Sequence, residues 1–453
     1  MNNAIYWLPL LLSAIAGVVS LLKQKGVASF ISIISSVSTL ACSILILKSS
    51  SFSDKYLYID CVSKIMIFVI AAIYTTTVIY SVSYIKYIKE PLFHKNHYFT
   101  WMNFFALSMF FSVTVNNFGL LWVGIEATTV TSALLIAIDS HKESVEATWR
   151  YILIVSTGLI LSLLGTILIF GEIHTLAISS SLYSHNSSKI LLLGILLSIV
   201  GYGTKAGIFP MHTWLPDVHG KAPSPVSAIF SGVLLPVALF GILRVSSIAF
   251  SYQIKNFLFI LGSLTLVVSA LLMSVQKYFK RLYAYSSMEN MGIALIGISL
   301  GGVALKGAFI LIIAHAFAKS AVFYLSGNIL IRYKDSKINK VKGLIKKMPF
   351  TAYCLFFAAL AATGAPPFAT FIGEIMIFSE VIKNYNWIIT VVLSVFIAIA
   401  FISVNYYTAK MIFSGKDEDV KERKSLVNFV PLINIAMAFI IIFFIPIAEV
   451  SVF

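Results

Sequence analysis

Long apolar runs recur along the whole sequence, and they constrain the fold more than any other feature. Hydrophobic residues make up 59% of the 453 positions and charged residues only 11%, whereas soluble proteins carry about 25% charged residues. A helix that crosses a bilayer needs about 20 mainly apolar residues. The pattern excludes a soluble globular enzyme and a disordered chain. It predicts an all-α polytopic membrane protein.

The apolar runs predict about 14 transmembrane helices joined by short loops. Strands are not expected, because lipid leaves no partner for unpaired backbone groups and the sequence shows no alternating pattern. The first 22 residues lack a basic segment and are interpreted as the first span, not as a cleaved signal peptide. The runs lie near 4–22, 28–47, 65–85, 98–115, 118–138, 150–170, 190–211, 222–248, 256–276, 288–302, 304–331, 350–382, 387–410 and 427–447.

Two of the predicted spans, helices 7 and 12, are interrupted. Four prolines fall within 206–225, and Gly-Ala-Pro-Pro occupies 364–367. Proline breaks the helical hydrogen-bond ladder, and matching breaks in two halves of a chain indicate inverted repeats. We therefore predict two inverted five-helix repeats. The expected domains are 1–97 (helices 1–3), 98–248 (first repeat, helices 4–8), 249–413 (second repeat, helices 9–13) and 414–453 (cytoplasmic loop and helix 14).

The basic residues are distributed unequally between the two predicted sides of the membrane. Of 33 lysines and arginines, 23 fall in loops on one side and eight on the other. This bias follows the positive-inside rule. It predicts a multi-pass membrane protein with both termini outside. The net charge of +15 is thus interpreted mainly as an orientation signal, and nucleic acid is not expected as a partner.

Five ionisable residues fall at membrane depth in the predicted spans and are the candidate functional residues. A charge at the bilayer centre costs at least about 2.5–3.5 kcal/mol and therefore marks a functional site by default. Opposite charges in such a place hold each other ionised. The set predicts a chain of proton or ion stations, with sodium as the alternative ion. It consists of Glu126, Lys205, His315, Lys319 and Glu374.

Structural interpretations remain open for several of these residues. Glu126 and Lys205 could form a packing pair, His315 could be a core histidine, and Lys319 could reach the interface. Glu289 and Arg281 are interpreted as interfacial because they lie near the end of a predicted span. Asp217, His212 and His219 are interpreted as loop residues that either line an exit to water or hydrogen-bond locally. The basic stretch 332–347 is interpreted as a topology signal, with anionic lipid or an acidic partner as the alternative.

No cofactor or metal site is predicted. The three cysteines are scattered and form no CxxC pair, a spacing that disfavours ligation of an iron–sulfur cluster or zinc. The eight histidines are dispersed, and no phosphate-binding glycine loop is found. We therefore expect no redox step within this chain.

Five stretches resemble the antiporter-like, proton-translocating subunits of complex I, Mrp antiporters and group 4 hydrogenases. The sequence around predicted helices 7 and 8 is most similar to that of the F component of hydrogenase-4. The stretches are WVGIEATTVTSALL (122–135), GYGTKAGIFPMHTWLPDVHGKAPSPVSAIFSG (201–232), KRLYAYSSMENMG (280–292), HAFAKSAVFYLSGNI (315–329) and GAPPFATFIGE (364–374).

The resemblance implies a fold of fourteen spans with broken helices 7 and 12. It also implies proton translocation driven by a redox arm carried on other subunits. Glu126 and Lys205 resemble the helix 5 and helix 7 residues of the family, and His315 and Lys319 resemble its helix 11 relay. Glu374 stands where relatives carry a terminal Lys or Glu. Pro236 departs from the pattern, because many relatives carry Lys or His there.

We therefore expect a proton-pumping membrane subunit of a group 4 hydrogenase-like or complex I-like assembly. Its expected partners are other membrane subunits, a peripheral redox arm of hydrogenase or quinone-reductase type, and the lipid bilayer. In this hypothesis Glu126 and Lys205 form a switchable ion pair, and Glu374 hands the proton to the far side. The alternatives are a subunit of an Mrp-type sodium/proton antiporter, coupling to carbon dioxide hydration or formate handling, and a non-conducting anchor, which Pro236 would permit.

Overall fold

The computed structural model describes residues 3–21, 26–88, 91–139, 141–182, 188–415, 422 and 428–443. These residues are mainly helical, as the sequence predicts. The last part of predicted helix 14 and most of the basic segment 416–424 lie outside the described residues. The chain divides into two compact units. The first covers the chain up to Gly207 together with Val233–Lys255, and the second covers Ile208–Gly232 and the chain from Asn256 onward.

The first unit contains the helices that carry Glu126 and Lys205. Asn117 caps the helix that carries Glu126, because its side-chain oxygen accepts a hydrogen bond from the Leu120 N–H at 3.0 Å. The helices are α1 (Leu8–Val19), α2 (Val27–Leu47), α3 (Cys61–Tyr84), α4 (Lys95–Thr114), α5 (Phe118–Ile136), α6 (Lys142–Ile173), α7 (Ile178–Ser181) and α8 (Lys189–Ala206). After residues of the second unit, the chain returns with α11 (Leu235–Ser246).

The second unit contains the remaining predicted stations. Its helices are α9 (Trp214–Lys221), α10 (Ser224–Ile229), α12 (Tyr252–Ser274, from Asn256 onward), α13 (Phe279–Leu300), α14 (Gly302–Tyr333), α15 (Leu344–Lys347), α16 (Pro349–Ala362), α17 (Ala369–Asn384), α18 (Trp387–Phe413) and α19 (Phe429–Ile440). A π-helix, Phe230–Leu234, connects α10 and α11.

Both predicted helix breaks are confirmed. Helix α8 ends at Ala206 with Gly207 in the left-handed conformation (φ 72°), and the next regular helix begins at Trp214. Helix α16 ends at Ala362 and α17 begins at Ala369. Because proline cannot donate to the helical ladder, the proline clusters of both segments fall in or beside the gaps.

Glycines allow two helix pairs to approach closely and thereby position the charged residues. A Cβ added to Gly165 of α6 would overlap the Gly194 carbonyl oxygen of α8. A Cβ added to Gly307 of α14 would lie 2.8 Å from the Gly373 carbonyl oxygen of α17. Only glycine permits such backbone contact. The first contact holds the helix of Lys205 against α6, and the second holds the residue before Glu374 against α14.

The number of spans is not settled at fourteen. Within the described residues, nine helices are long and apolar enough to cross a membrane, and three shorter apolar helices accompany them. Helices α4 and α13 have 20 and 22 residues and are more polar. One expectation was wrong in a small way: Phe52–Ser53 and Tyr58–Ile59 form a short antiparallel strand pair, β1–β2, in the loop before α3.

The interpretation of Glu289 as interfacial was wrong. The predicted span 288–302 starts nine residues too late, since α13 runs from Phe279 to Leu300. Glu289 lies in the middle of this helix and is only 3% exposed. Lys280, which lies before the predicted span, is 1% exposed and donates to the Ala222 carbonyl at 2.6 Å. The polar first half of α13 is buried in protein, so hydropathy did not mark it as part of a span.

Candidate functional site

Lys205 lies in the last turn of α8 and is fully buried. Its ammonium donates hydrogen bonds to the Tyr151 hydroxyl at 2.6 Å and to the Thr129 hydroxyl at 2.8 Å. The Tyr151 hydroxyl also lies 2.7 Å from the hydroxyl of Ser132. The C-terminal end of a helix favours a positive charge. The ammonium is therefore held by neutral hydroxyls of α5 and α6 and by the end of its own helix.

Glu126 lies on α5, three residues before Thr129, and so on a neighbouring position of the helix surface. One oxygen of its carboxylate accepts a hydrogen bond from Ser156 at 2.8 Å. The other, Oε2, is buried without a hydrogen-bond partner in the described part of the chain. Glu126 interacts electrostatically with Lys205, yet no ion pair within 4.0 Å joins these two described residues. The structure thus shows the two predicted partners close together but not in contact. Glu126, Thr129, Tyr151 and Lys205 are named the Lys205 centre below.

His315 and Lys319 lie on one face of α14 and are fully buried. The Lys319 ammonium donates to the Ser286 hydroxyl at 2.6 Å and to the Tyr283 carbonyl at 3.4 Å, both on α13. The His315 Nε2 lies 3.2 Å from the Ser231 carbonyl oxygen. A carbonyl only accepts, so Nε2 carries a hydrogen in this arrangement.

The contact of His315 gives the departure at Pro236 a structural role. Ser231 lies in the π-helix Phe230–Leu234, where a carbonyl accepts from the N–H five residues further on. For Ser231 that residue is Pro236, which has no N–H. His315 supplies a donor to the same carbonyl oxygen. Pro236 thus leaves this carbonyl oxygen open to the histidine.

Glu374 lies on α17 just after the second break and is 9% exposed. Its carboxylate sits against Gly364, where an added Cβ would overlap both carboxylate oxygens. Gly364 has a φ of +68°, in the left-handed region that favours glycine. The break between α16 and α17 therefore makes room for a buried carboxylate.

Sequence reasoning missed several residues of these sites. Glu289 interacts electrostatically with both Lys319 and Glu374. His219, interpreted as a loop residue, is fully buried in the short helix α9 and stacks on Phe323 at a centroid distance of 4.9 Å. The repeat of Tyr283, Ser286 and Glu289 at three-residue spacing would have indicated a polar helix face. The hydroxyl partners on neighbouring helices had no comparable signal.

A profile of the family described as NADH:quinone oxidoreductase/Mrp antiporter, transmembrane, matches residues 115–402. The chain belongs to this family. The match covers all five predicted stations, Lys205 and Lys319 among them, and it confirms the resemblance seen in the sequence. The protein is accordingly a multi-pass membrane protein with the fold of the antiporter-like subunits.

Comparison with individual proteins agrees with this assignment. The chain is 36% identical over 280 residues to a hydrogenase-4 component F homolog of Methylacidiphilum infernorum, covering 58% of this chain and 59% of that protein. The fold is similar to a chain of the archaeal membrane-bound sulfane sulfur reductase, with a TM-score of 0.89, 21% identity, and 99% and 97% of the two chains covered. It is also similar to a chain of the Mrp complex of Dietzia sp., with a TM-score of 0.83, 19% identity, and 93% and 82% covered.

Proposed function

We propose that this chain translocates protons as a membrane subunit of a redox-driven complex, of group 4 membrane-bound hydrogenase or complex I-like type. The observation that carries the proposal is the Lys205 centre, where a fully buried ammonium is held by hydroxyl groups beside a carboxylate. A buried charge is retained at a cost of several kcal/mol. Its conversion between charged and neutral forms is a proton-transfer step.

The Lys205 centre has the parts that such a step requires. Lys205, Tyr151 and Ser132 form a continuous hydrogen-bonded chain, with contacts of 2.6 and 2.7 Å. Hydroxyl groups both donate and accept, so they can pass a proton along such a chain. A change in the charge on Glu126 changes the free energy of the Lys205 ammonium. Glu126 therefore acts as the control for proton release by the lysine.

The remaining predictions extend this proposal. His315, Lys319 and Glu374 serve as further stations, and Glu374 acts as the terminal one. The chain works with other membrane subunits and a peripheral redox arm of hydrogenase or quinone-reductase type, and contributes no redox cofactor of its own. We place it in the prokaryotic inner membrane with both termini outside, built from the two inverted repeats 98–248 and 249–413.

The proposal is tested by the ratio of protons moved to electrons transferred in the purified complex, reconstituted in lipid vesicles. Lys205→Ala should lower this ratio because it removes the exchanging group. Lys189→Ala is the matched control, since Lys189 is an exposed lysine at the start of the same helix. A Lys205→Ala complex that pumps at the wild-type ratio refutes the proposal. Identification of the co-purifying subunits tests the assignment to a redox complex.

A second candidate function is a subunit of an Mrp-type sodium/proton antiporter. The similarity in fold to a chain of the Mrp complex supports it. In that case proton movement in vesicles should require sodium on the opposite side and should proceed without an electron donor. Proton movement that depends on electron transfer and is unchanged by sodium excludes this candidate.

A further inference from the structure

Glu289 is a buried acid outside the five predicted stations. It is the eleventh of the 22 residues of α13, as far from either end of the helix as a residue can be. Its Oε2 atom has no hydrogen-bond partner among the residues that the structure describes. A buried carboxylate oxygen without a partner is energetically unfavourable, so the position needs a specific explanation.

The ammonium of Lys319 lies one helical turn from Glu289. Lys319 donates to Ser286 at 2.6 Å, and Ser286 precedes Glu289 by three residues on α13. Side chains three residues apart on a helix have Cβ atoms about 5–6 Å from each other. A lysine side chain has four rotatable bonds and can therefore reach either group without movement of its helix. In the described part of the chain, Lys319 and Glu289 form no ion pair within 4.0 Å of each other.

The Lys205 centre repeats this arrangement in the first unit. There the lysine donates to Thr129, and the acid, Glu126, lies three residues from that threonine on the same helix. Both lysines are thus held on a hydroxyl, and both have a carboxylate one turn away that carries an unpartnered oxygen. The same chemistry at the same spacing argues against Glu289 being a chance buried acid.

A second carboxylate acts on Glu289. Glu289 interacts electrostatically with Glu374 as well as with Lys319, and the Glu374 carboxylate packs against Gly364. Two carboxylates and one ammonium carry a net charge of −1 when all are ionised. Because an uncompensated charge is strongly disfavoured in a buried site, the cluster becomes neutral by holding one additional proton on one of the two acids.

We propose that Glu289 is the acid partner of Lys319 and that Glu289 and Glu374 share one exchangeable proton beside it. In the transfer step, an N–H bond of the Lys319 ammonium breaks and an O–H bond forms on the ionised carboxylate. The electron pair of the N–H bond stays on nitrogen, so no redox partner is needed. The role in transport rests on the proposed function, but the charge state of the cluster does not.

Other titratable side chains near Lys319 are two histidines and, acting on His219, Lys280 of α13. His315 lies one turn before it on α14 and interacts with it electrostatically, as does His219 on α9. Neither supplies negative charge. The two carboxylates are therefore the groups that balance the ammonium, and the number of protons on them follows from whether Lys319 is charged.

The test counts protonated carboxylic acids by infrared difference spectroscopy of the full chain in its native complex at neutral pH. The carbonyl band of a protonated acid is distinct from the bands of a carboxylate. Glu289→Gln should remove one acid band, because the remaining Glu374 then pairs with Lys319 as a carboxylate. Glu374→Gln should do the same. Lys319→Met should double the band of this cluster, because both acids then become protonated.

Glu380→Gln is the matched control. Glu380 lies on α17 like Glu374, but it forms an ion pair with Lys383 at 2.7 Å and should contribute no acid band. If Lys319→Met does not fold, Glu289→Asp is the second variant, and it should retain the band that Glu289→Gln removes. An acid band that is unchanged in Glu289→Gln overturns the inference, and so does a Lys319→Met spectrum without added acid.

Proton movement in vesicles separates the two proposals. If the acid bands behave as expected while the complex moves no protons, the cluster is correct and the proposed function fails. If protons move and Glu289→Gln changes neither the acid band nor the rate, the inference fails and the proposed function stands. If both are correct, Glu289→Gln should lower the rate of proton movement at least tenfold, and Glu380→Gln should leave it unchanged.

Discussion

Asp60 and Arg244 form a buried ion pair in the first unit, and its removal should be strongly destabilising. The Arg244 side chain is 1% exposed and that of Asp60 is 21% exposed. The guanidinium donates to both carboxylate oxygens, at 2.7 and 2.5 Å, and to the Ser63 hydroxyl at 3.0 Å. It also lies 4.6 Å from the centre of the Phe240 ring. The pair links the start of α3 to the last turns of α11.

Asp60→Asn isolates the charge of this pair from its capping role. Asp60 also accepts from the Ser63 N–H at 2.9 Å as the N-cap of α3, and asparagine caps helices as well as aspartate does. Removing one partner of a buried pair costs about 3–5 kcal/mol, because the other charge is left uncompensated. Since Asp60 is partly exposed, we expect a loss of about 3 kcal/mol, the lower end of this range.

The free energy of unfolding can be measured by denaturant titration of the purified chain in mixed micelles. The double variant Asp60→Asn/Arg244→Met should recover much of the loss, because it removes the uncompensated charge together with its partner. Asp54→Asn is the matched control, since Asp54 lies in the same loop and accepts from backbone N–H groups of that loop. We expect it to change stability by less than about 0.5 kcal/mol. An Asp60→Asn chain as stable as this control would refute the reasoning.

Three further predictions concern the same parts of the molecule. Burial alone would raise the pKa of Asp60, but the charge and hydrogen bonds of Arg244 lower it below its ordinary value. The stability from the pair should therefore be present above the ordinary pKa and be lost as the pH falls through the lowered pKa. Asp60→Asn should lack this pH dependence when both chains are unfolded across the acidic range. Tyr151→Phe removes a hydrogen bond to the charged Lys205, worth about 1.5–3 kcal/mol, and should slow proton movement in vesicles at least about tenfold. An unchanged rate would contradict proton transfer through Lys205, Tyr151 and Ser132. Gly364→Ala places a methyl group against the Glu374 carboxylate at a positive φ and should cost about 1–3 kcal/mol in the same unfolding assay; a chain of wild-type stability would show that the break does not confine the carboxylate.

The extent of α18 could be predicted from its apolar run. Helix α18, predicted over 387–410, runs from Trp387 to Phe413, and many of its large side chains are exposed. Helix α13 was predicted nine residues too short because its first half carries Lys280, Tyr283 and Ser286, which face protein. Hydropathy reports the preference for lipid. It cannot recognise a membrane helix whose polar residues are satisfied by neighbouring helices.

The burial of the charged residues could be predicted, but their hydrogen-bond partners could not. Lys205 and Lys319 stand out because each interrupts an apolar run. Their hydrogen-bond acceptors lie on other helices and are mostly hydroxyls, and serine and threonine occur in all but the last of the predicted spans. The burial of Glu289 depends on how α14 and α17 pack against α13, which no local pattern of the sequence records. The sequence therefore identified the charges, whereas the helix packing was needed to show which groups they share.

The close glycine contact between α6 and α8 has a consequence for how the Lys205 centre can work. The two backbones touch at Gly165 and Gly194, so neither helix can slide or rotate without losing the contact or forcing atoms together. The contact therefore limits how far the backbone of Lys205 can move relative to α6. The group that can move is then the lysine side chain, while the two helices stay in place. Its movement is limited to the few ångströms that its four methylene groups can span.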